Sequence, residues 1–321
     1  MTDRFIVTGG AGFIGCNIAT ELNKRGHENI IIVDNPVHEE QKANLESISF
    51  TNLLSIEDFR EKFLQDKLEP CTAVFHMGAC SSTTETNEEY INDNNYLYTR
   101  QLCEWCLKHN VRFIYASSAA TYGDGSLGYS DEDKIMPDLK PLNLYGNSKQ
   151  MFDMWALENG LLDRIAGLKY FNVYGPHEDH KGDMRSVVNK AYDQVLQTGR
   201  ICLFKSYKSD YKDGEQKRDF VYVKDAVKVT LFFLDHPDVS GLFNCGTGQA
   251  RTWHDLTKAV FAAMGKKPEI IFVDMPDTIK EKYQYYTQAD ISKLQMAGYA
   301  EPFCSIEDGV KDYVQNYLTD R

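Results

Sequence analysis

The segment Thr8-Gly9-Gly10-Ala11-Gly12-Phe13-Ile14-Gly15 constrains this chain most, because it joins a short apolar run, Phe5–Thr8, directly to a helix-length amphipathic stretch, Phe13–Arg25. Glycines at 9, 12 and 15 permit a tight turn, let a pyrophosphate approach the backbone, and let the helix pack closely on its strand. The helix start adds N–H donors and the positive end of its dipole. A second apolar run, Asn29–Val33, ends at Asp34, where a carboxylate can hydrogen-bond a ribose. A glycine cluster alone is weak evidence. Strand, turn, helix and carboxylate in this order predict a dinucleotide site.

Apolar runs and helix-length stretches keep alternating: Ile56–Leu64, Ala73–Ala79, Tyr90–His109, Arg112–Ser118, a helix from about Pro141 to Leu157, and Ile165–Asn172. That alternation predicts an α/β fold with a doubly wound parallel sheet, a Rossmann domain over residues 1–175. Beyond Gly175 the pattern shifts to loops, aromatic residues and shorter elements, which predicts a smaller C-terminal α/β substrate lobe over 176–321. Phe220–Val223 and Leu242–Cys245 still read as strands, so the chain is expected to cross back near 220–250.

Of 321 residues, 35 are Lys or Arg and 47 Asp or Glu, a net charge of −12 that lacks the footprint of general nucleic-acid binding. There is no run of 18 apolar residues and no signal-like start, so no membrane insertion is expected. The eight cysteines then read as reduced thiols of a cytoplasmic protein. Cys103 and Cys106 lie in a helical stretch without a second pair, and His177, Glu178, Asp179 and His180 lack ligand spacing with another cluster; no metal is expected.

Chemistry is predicted at Tyr145 and Lys149, which share one helix face at i and i+4. The ammonium is expected to lower the phenol from its usual value near 10, and Ser118, ending the strand Arg112–Ser118, can orient a substrate alcohol.

These motifs stand beside Gly78-Ala79-Cys80-Ser81-Ser82-Thr83-Thr84-Glu85, Ala116 through Gly123, Tyr170 through Pro176, His180-Lys181-Gly182, Arg218-Asp219-Phe220-Val221-Tyr222-Val223 and Tyr283 through Asp290. Together they resemble, over nearly the whole chain, the extended short-chain dehydrogenase/reductase family of NAD-dependent epimerases and dehydratases. Within it they are similar to the enzymes that invert carbon 6 of an ADP-linked heptose for the lipopolysaccharide inner core. The resemblance implies an ADP-heptose substrate, NADP as cofactor with NAD as the alternative, and a homo-oligomer, a pentamer. It implies catalytic roles for Ser118, Tyr145, Lys149 and Lys181. Phe13, Ile14, Asp34, Asn35, Met77, Gly78, Ala79, Cys80, Ser81, Asn94, Lys149, Val173 and Lys181 are implied to line the cofactor. For the substrate it implies Ser118, Asn172, Asp183, Lys190, Phe204, Lys205, Ser206, Tyr207, Arg218 and Tyr283.

The chain departs from the family pattern at Gln41 and Ile56, where lysines are usual, at Asp183, where serine is usual, and in a longer stretch between Leu203 and Arg218. The first two bear on a 2′-phosphate. Asp34 favours NAD, because its charge repels that phosphate, while His38, Lys42 and Asn35 stand near enough to offset it. A dehydratase of the same fold usually carries an acidic pair after the serine, where this chain has Ala119-Ala120-Thr121. A non-catalytic dinucleotide-binding protein has no use for Ser118, Tyr145, Lys149 and Lys181 together.

Overall fold

A computed structural model describes residues 3–280 and 283–319. The described chain forms strands β1 (Phe5–Thr8), β2 (Ile30–Val33), β3 (Asn52–Leu54), β4 (Ala73–His76), β5 (Arg112–Ser118), β6 (Ala166–Tyr170), β7 (Asn172–Tyr174), β8 (Ile201–Phe204), β9 (Lys217–Tyr222), β10 (Gly241–Cys245), β11 (Ala250–Thr252) and β12 (Ile270–Val273). Seven of them make one sheet in the order β3-β2-β1-β4-β5-β6-β10. Every neighbouring pair in it is parallel. The order reverses between β1 and β4, which opens a crevice at the carboxyl ends of the strands, the place where such sheets bind ligands.

Period-two alternation explains why these runs are strands. Phe5 and Val7 join one core layer and Ile6 the other; Ala73 and Phe75 are likewise separated from Val74. Both faces are covered by helices, so the strands are apolar throughout. Phe13–Lys24 and Val223–Asp235 supply one layer; Ile56–Leu64, Tyr98–Lys108 and Leu144–Glu158 supply the other. A third cluster joins Val188 and Val195, Leu256 and Val260, and Val310 and Tyr313 from three helices of the C-terminal half. That half also holds the small sheets β11-β9-β7 and β12-β8, while β10 returns to the edge of the main sheet.

Several elements differ from the sequence reading. The helix expected from Pro141 starts at Leu144, where the Asn143 side chain accepts the Gly146 N–H and sets the first turn. The stretch 90–109 is helical as expected, starting at Glu88, but it contains a π-helical turn, Asn92–Leu97, before Tyr98–Lys108. The helix Glu39–Glu46 and strand β3 were not anticipated. The eight cysteines are free, with Cys103 and Cys106 fully buried. Among the described residues no helix is long and apolar enough to cross a membrane.

His76, at the end of β4, clamps the two strand ends that border the crevice. Its ring nitrogens meet Thr8 Oγ1 at 2.7 Å and Thr99 Oγ1 at 2.8 Å. Burial lowers its pKa to about 3, so it is neutral in the folded protein. The unfolded chain takes up this proton below about 6.5, and stability is therefore lost as pH falls through that value. From pH 7 to pH 5 this one group is expected to remove about 2 kcal/mol, read as a falling Tm. His76→Gln is expected to start lower at pH 7 and to show a flatter slope, and an unchanged slope would contradict the assignment.

Candidate active site

The glycine turn is built around close backbone approaches. Gly9 has φ +65°, and a Cβ there would lie 2.7 Å from the Gly78 nitrogen, so the turns after β1 and β4 pack backbone to backbone. A Cβ on Gly15 would stand 2.1 Å from the Gly9 carbonyl oxygen. Gly12 caps the helix Phe13–Lys24 without any side-chain bond to its first N–H groups, which leaves those donors facing the crevice. Bare helix N–H groups above a cradle that any side chain would fill fit a dinucleotide pyrophosphate.

Asp34 shapes the other end of this turn. Burial raises the pKa of its carboxylate, opposed by bonds accepted from the Ala11 N–H at 2.9 Å and the Asn35 N–H at 2.8 Å. Gln41 and Ile56 share the cavity wall with it. The Gln41 carbonyl is already committed to the Val37 and His38 N–H groups, and Lys42 turns away to Glu39 at 2.6 Å.

The helix Leu144–Glu158 brings Tyr145 and Lys149 to the same cavity as Ser118, and it approaches β5 closely because Gly146 faces the Ala120 carbonyl, 2.9 Å from where a Cβ would sit. Asn95 joins this helix to the turn after β4: its amide accepts the Cys80 N–H, donates to the Cys80 carbonyl, and donates to Ser148 Oγ. The π-helical turn carries Asn95; such turns recur at functional sites. Burial pushes the Tyr145 phenol up, opposed by its hydrogen bond with Ser118. The lowering expected from Lys149 does not appear: burial prevails, and the ammonium lies 6.0 Å from the phenol ring centre. Lys149 itself is brought down to about 8 by burial, with Asp153 opposing.

Lys181 lines the cavity from a 3-10 segment, Asp179–Met184, its ammonium 5.1 Å from the centre of the Phe13 ring. Arg218 lines it from β9, buried against Tyr283 and Trp253 and donating to the Lys217 and Gln284 carbonyls. Among the described residues no carboxylate lies within ion-pair distance of Arg218. Asp219 is taken by Thr247, Gly248 and Ala289, and Asp225 by Lys228 and Cys304. A desolvated guanidinium without a carboxylate partner suits an anionic ligand.

The cavity, about 1580 Å³, also takes in Ile14, Met77, Ala79, Ser81, Asn94, Asn172 and Val173. That exceeds the roughly 300–1,000 Å³ of a common small-molecule site and leaves room for two ligands side by side. Asn35, Asp183, Lys190 and the run Phe204, Lys205, Ser206 and Tyr207 are not part of its lining. Asn35 bonds Glu57, Lys190 bonds the Asp183 carbonyl, and Lys205 and Tyr207 bond Asp274. Glu85, Trp253 and Gln284 also line the cavity, as does His180, which the sequence reading weighs only as a metal ligand. Only the quoted motifs around Glu85, His180 and Gln284 signalled them.

The family model described as NAD dependent epimerase/dehydratase matches residues 5–246. The chain belongs to that family. It is 52% identical over 315 residues to the ADP-L-glycero-D-manno-heptose-6-epimerase of Nitratidesulfovibrio vulgaris, covering 98% of both chains. It is 45% identical to the protein of the same name from Fusobacterium nucleatum, covering 98% of this chain and 97% of the relative. The crystal structure of the Helicobacter pylori ADP-L-glycero-D-manno-heptose-6-epimerase superposes with a TM-score of 0.81 at 27% identity, covering 98% of this chain and 96% of that one. Family membership and the bare glycine cradle agree on a nicotinamide dinucleotide.

Gly15→Ala tests the cradle, because the obstructing atom is a main-chain carbonyl. The variant is expected to retain less than a tenth of the wild-type nucleotide after purification and to melt earlier, with about 1–3 kcal/mol lost to overpacking. Nucleotide content equal to wild type would show that the turn yields.

Proposed function

We propose that this chain is the enzyme that inverts carbon 6 of the heptose in ADP-D-glycero-β-D-manno-heptose, giving the L-glycero epimer. The observation that carries the reading is that Tyr145 and Lys181, from distant segments, line one cavity together with Ser118, Lys149 and the glycine turn. The bound dinucleotide supplies a hydride acceptor that becomes a donor within the same turnover. Inversion then demands two proton-handling groups. The sugar ring is held in place, so the carbon 6 carbonyl must present its other face by rotation about the carbon 5 to carbon 6 bond. That rotation carries its oxygen from one side of the site to the other.

Tyr145 is the acid/base on one side and Lys181 on the other, with the roles exchanging with direction. Ser118 orients the sugar hydroxyl through its bond with the phenol. Lys149 holds positive charge behind Tyr145, and Arg218 takes the substrate diphosphate. The turn after Ser118, Ala119–Tyr122, carries no carboxylate to protonate a leaving hydroxyl, and Glu85 is engaged by the Thr86 and Asn87 N–H groups; both favour epimerisation over dehydration. The pentamer implied by the resemblance and the cytoplasmic location read from the cysteines belong to this proposal.

The experiment is incubation with ADP-D-glycero-β-D-manno-heptose followed by NMR of the sugar. The L-glycero epimer is expected without net change in nicotinamide redox state; a dehydrated ketosugar or unchanged substrate would sink the reading. Tyr145→Phe and Lys181→Met are each expected to cut turnover by about 100-fold or more. Activity within a few-fold of wild type in either variant would remove that residue from the chemistry.

For the cofactor, the resemblance argues for NADP and one observation favours NAD. Asp34, Gln41 and Ile56 present a carboxylate, a committed amide and an alkyl chain, and the neighbouring Asn35 amide is bonded to a second carboxylate, Glu57. A 2′-phosphate placed there meets repulsion rather than a cation. The nucleotide released on denaturation is expected to be NAD, and NADP alone in the chromatogram would return the choice to the resemblance.

A further inference from the structure

Lys181 rides on a segment that does not hold itself in place. Asp179–Met184 buries none of its residues and is broken at Gly182, φ 51°. His177, just before it, has φ +74°, an unfavourable conformation for a residue with a Cβ. An acid or base misplaced by about 1 Å loses about 100-fold in rate, so something must fix this segment.

Glu178 does so. Its side chain is completely buried, and its carboxylate accepts the Ser186 N–H at 2.5 Å, the Ser186 hydroxyl at 2.6 Å and the Gly175 N–H at 3.5 Å, closing the neck of the loop 175–186. Ser186 in turn caps the helix Val187–Thr198, whose N-terminal dipole favours a negative charge there. Asn17 and Asn44 tie the loop to the glycine turn through the Pro176, His177 and Ala11 carbonyls. Those amides are uncharged; they hold the loop backbone and, through Asn44 Oδ1, the His177 ring at 3.1 Å. Burial raises the Glu178 carboxyl, opposed by its bonds to Ser186 and, through space and without an ion pair, by the Lys181 charge. Burial lowers the lysine, Glu178 opposes that, and Lys190 from the helix Val187–Thr198 adds a smaller lowering; Asp179, His180 and Asp183 are the remaining ionisable residues of the segment. The Phe13–Lys24 helix presents the uncharged Phe13 ring.

Resting on the epimerase reading above, we propose that Glu178 is a positioning residue: its buried carboxylate closes the loop neck and holds the Lys181 ammonium in the cavity, so that Lys181 starts the cycle as acid while Tyr145 starts as base. Tyr145, as a phenolate with Lys149 as the nearby cation, takes the proton of the carbon 6 hydroxyl; Lys181 gives one to the returning alkoxide; loss of a proton from Tyr145 to solvent and gain of one by Lys181 reset the pair.

The test follows the Lys181 side chain directly by 13C NMR in the nucleotide-loaded protein labelled at lysine Cε, with Lys181→Met assigning the signal. Glu178→Gln is expected to lower its titration midpoint by about one pH unit or more, as loss of a nearby opposite charge does. In steady state kcat is expected to fall at least about tenfold, with the KM for ADP-heptose within about threefold and the alkaline limb of kcat moved to lower pH. Glu178→Asp, which keeps the charge, is expected to hold the midpoint near wild type and recover most of kcat. It also serves alone should Glu178→Gln melt below assay temperature, where a midpoint that falls in the Asp variant overturns the proposal. An unmoved midpoint in Glu178→Gln, or kcat loss with an unshifted profile, likewise overturns it. If the midpoint moves but wild type epimerises nothing, the epimerase reading fails and the Glu178–Lys181 coupling stands.

Discussion

One buried carboxylate fixes the helix that carries the proposed catalytic pair, Tyr145 and Lys149, against the central sheet. Asp153 has no solvent exposure, and its oxygens collect the Tyr115 hydroxyl at 2.9 Å, the Ser117 hydroxyl at 2.6 Å and the Lys169 ammonium at 3.2 Å. Tyr115 and Ser117 belong to β5, Lys169 to β6, and Asp153 to the helix carrying Tyr145 and Lys149 on the same face at i−8 and i−4. The knot therefore ties the helix that carries Tyr145 to the strand that ends at Ser118. Lys169 donates in turn to Thr121 and lies 5.0 Å from the Tyr122 ring centre, so both ends of the buried pair are satisfied. Such a pair adds little net stability, but losing one partner typically costs about 3–5 kcal/mol, which makes the register of helix on strand hard to change.

The site is assembled from turns that are each tied to another turn. Gly9 touches Gly78, Asn95 bonds Cys80 and Ser148, and Asn44 spans the Ala11 and His177 carbonyls. Shifts in one turn are thus passed to the next through one main-chain contact and through the amides of two buried asparagines. Arg218 stands apart, packed between aromatic rings in the C-terminal half, which suits a group that holds the remote end of a substrate.

Local pattern made much of this legible in the sequence. The glycine turn, the alternation of β1 and β4 and the Tyr145/Lys149 spacing are set within a few residues, and the helix Ile56–Leu64 matches its expected bounds. Strand β3 was invisible because its three residues, Asn52–Leu54, are an exposed-to-half-buried edge without a buried apolar run. The helix Glu39–Glu46 buries only Asn44 and Leu45, so it has almost no apolar stripe to read. The cavity omits Lys205 and Tyr207 because their partner, Asp274, comes from a segment some 70 residues away. Burial, too, escapes a linear reading: it raises the Tyr145 phenol although a lysine stands one turn along.

Strand β10 places a particular demand on how the chain folds. β6 is buried along its whole length, yet its outer neighbour is Gly241–Cys245, which is synthesised only after β7, β8, β9 and the helices between them. Until residue 245 arrives, the growing sheet ends in an open apolar edge, the kind of template on which chains associate wrongly. The intervening segments must collapse as a loop that keeps both attachment points close, so closure of the sheet is a late, long-range event. The C-terminal half is in this sense part of the folding route of the sheet, as well as a wall of its cavity.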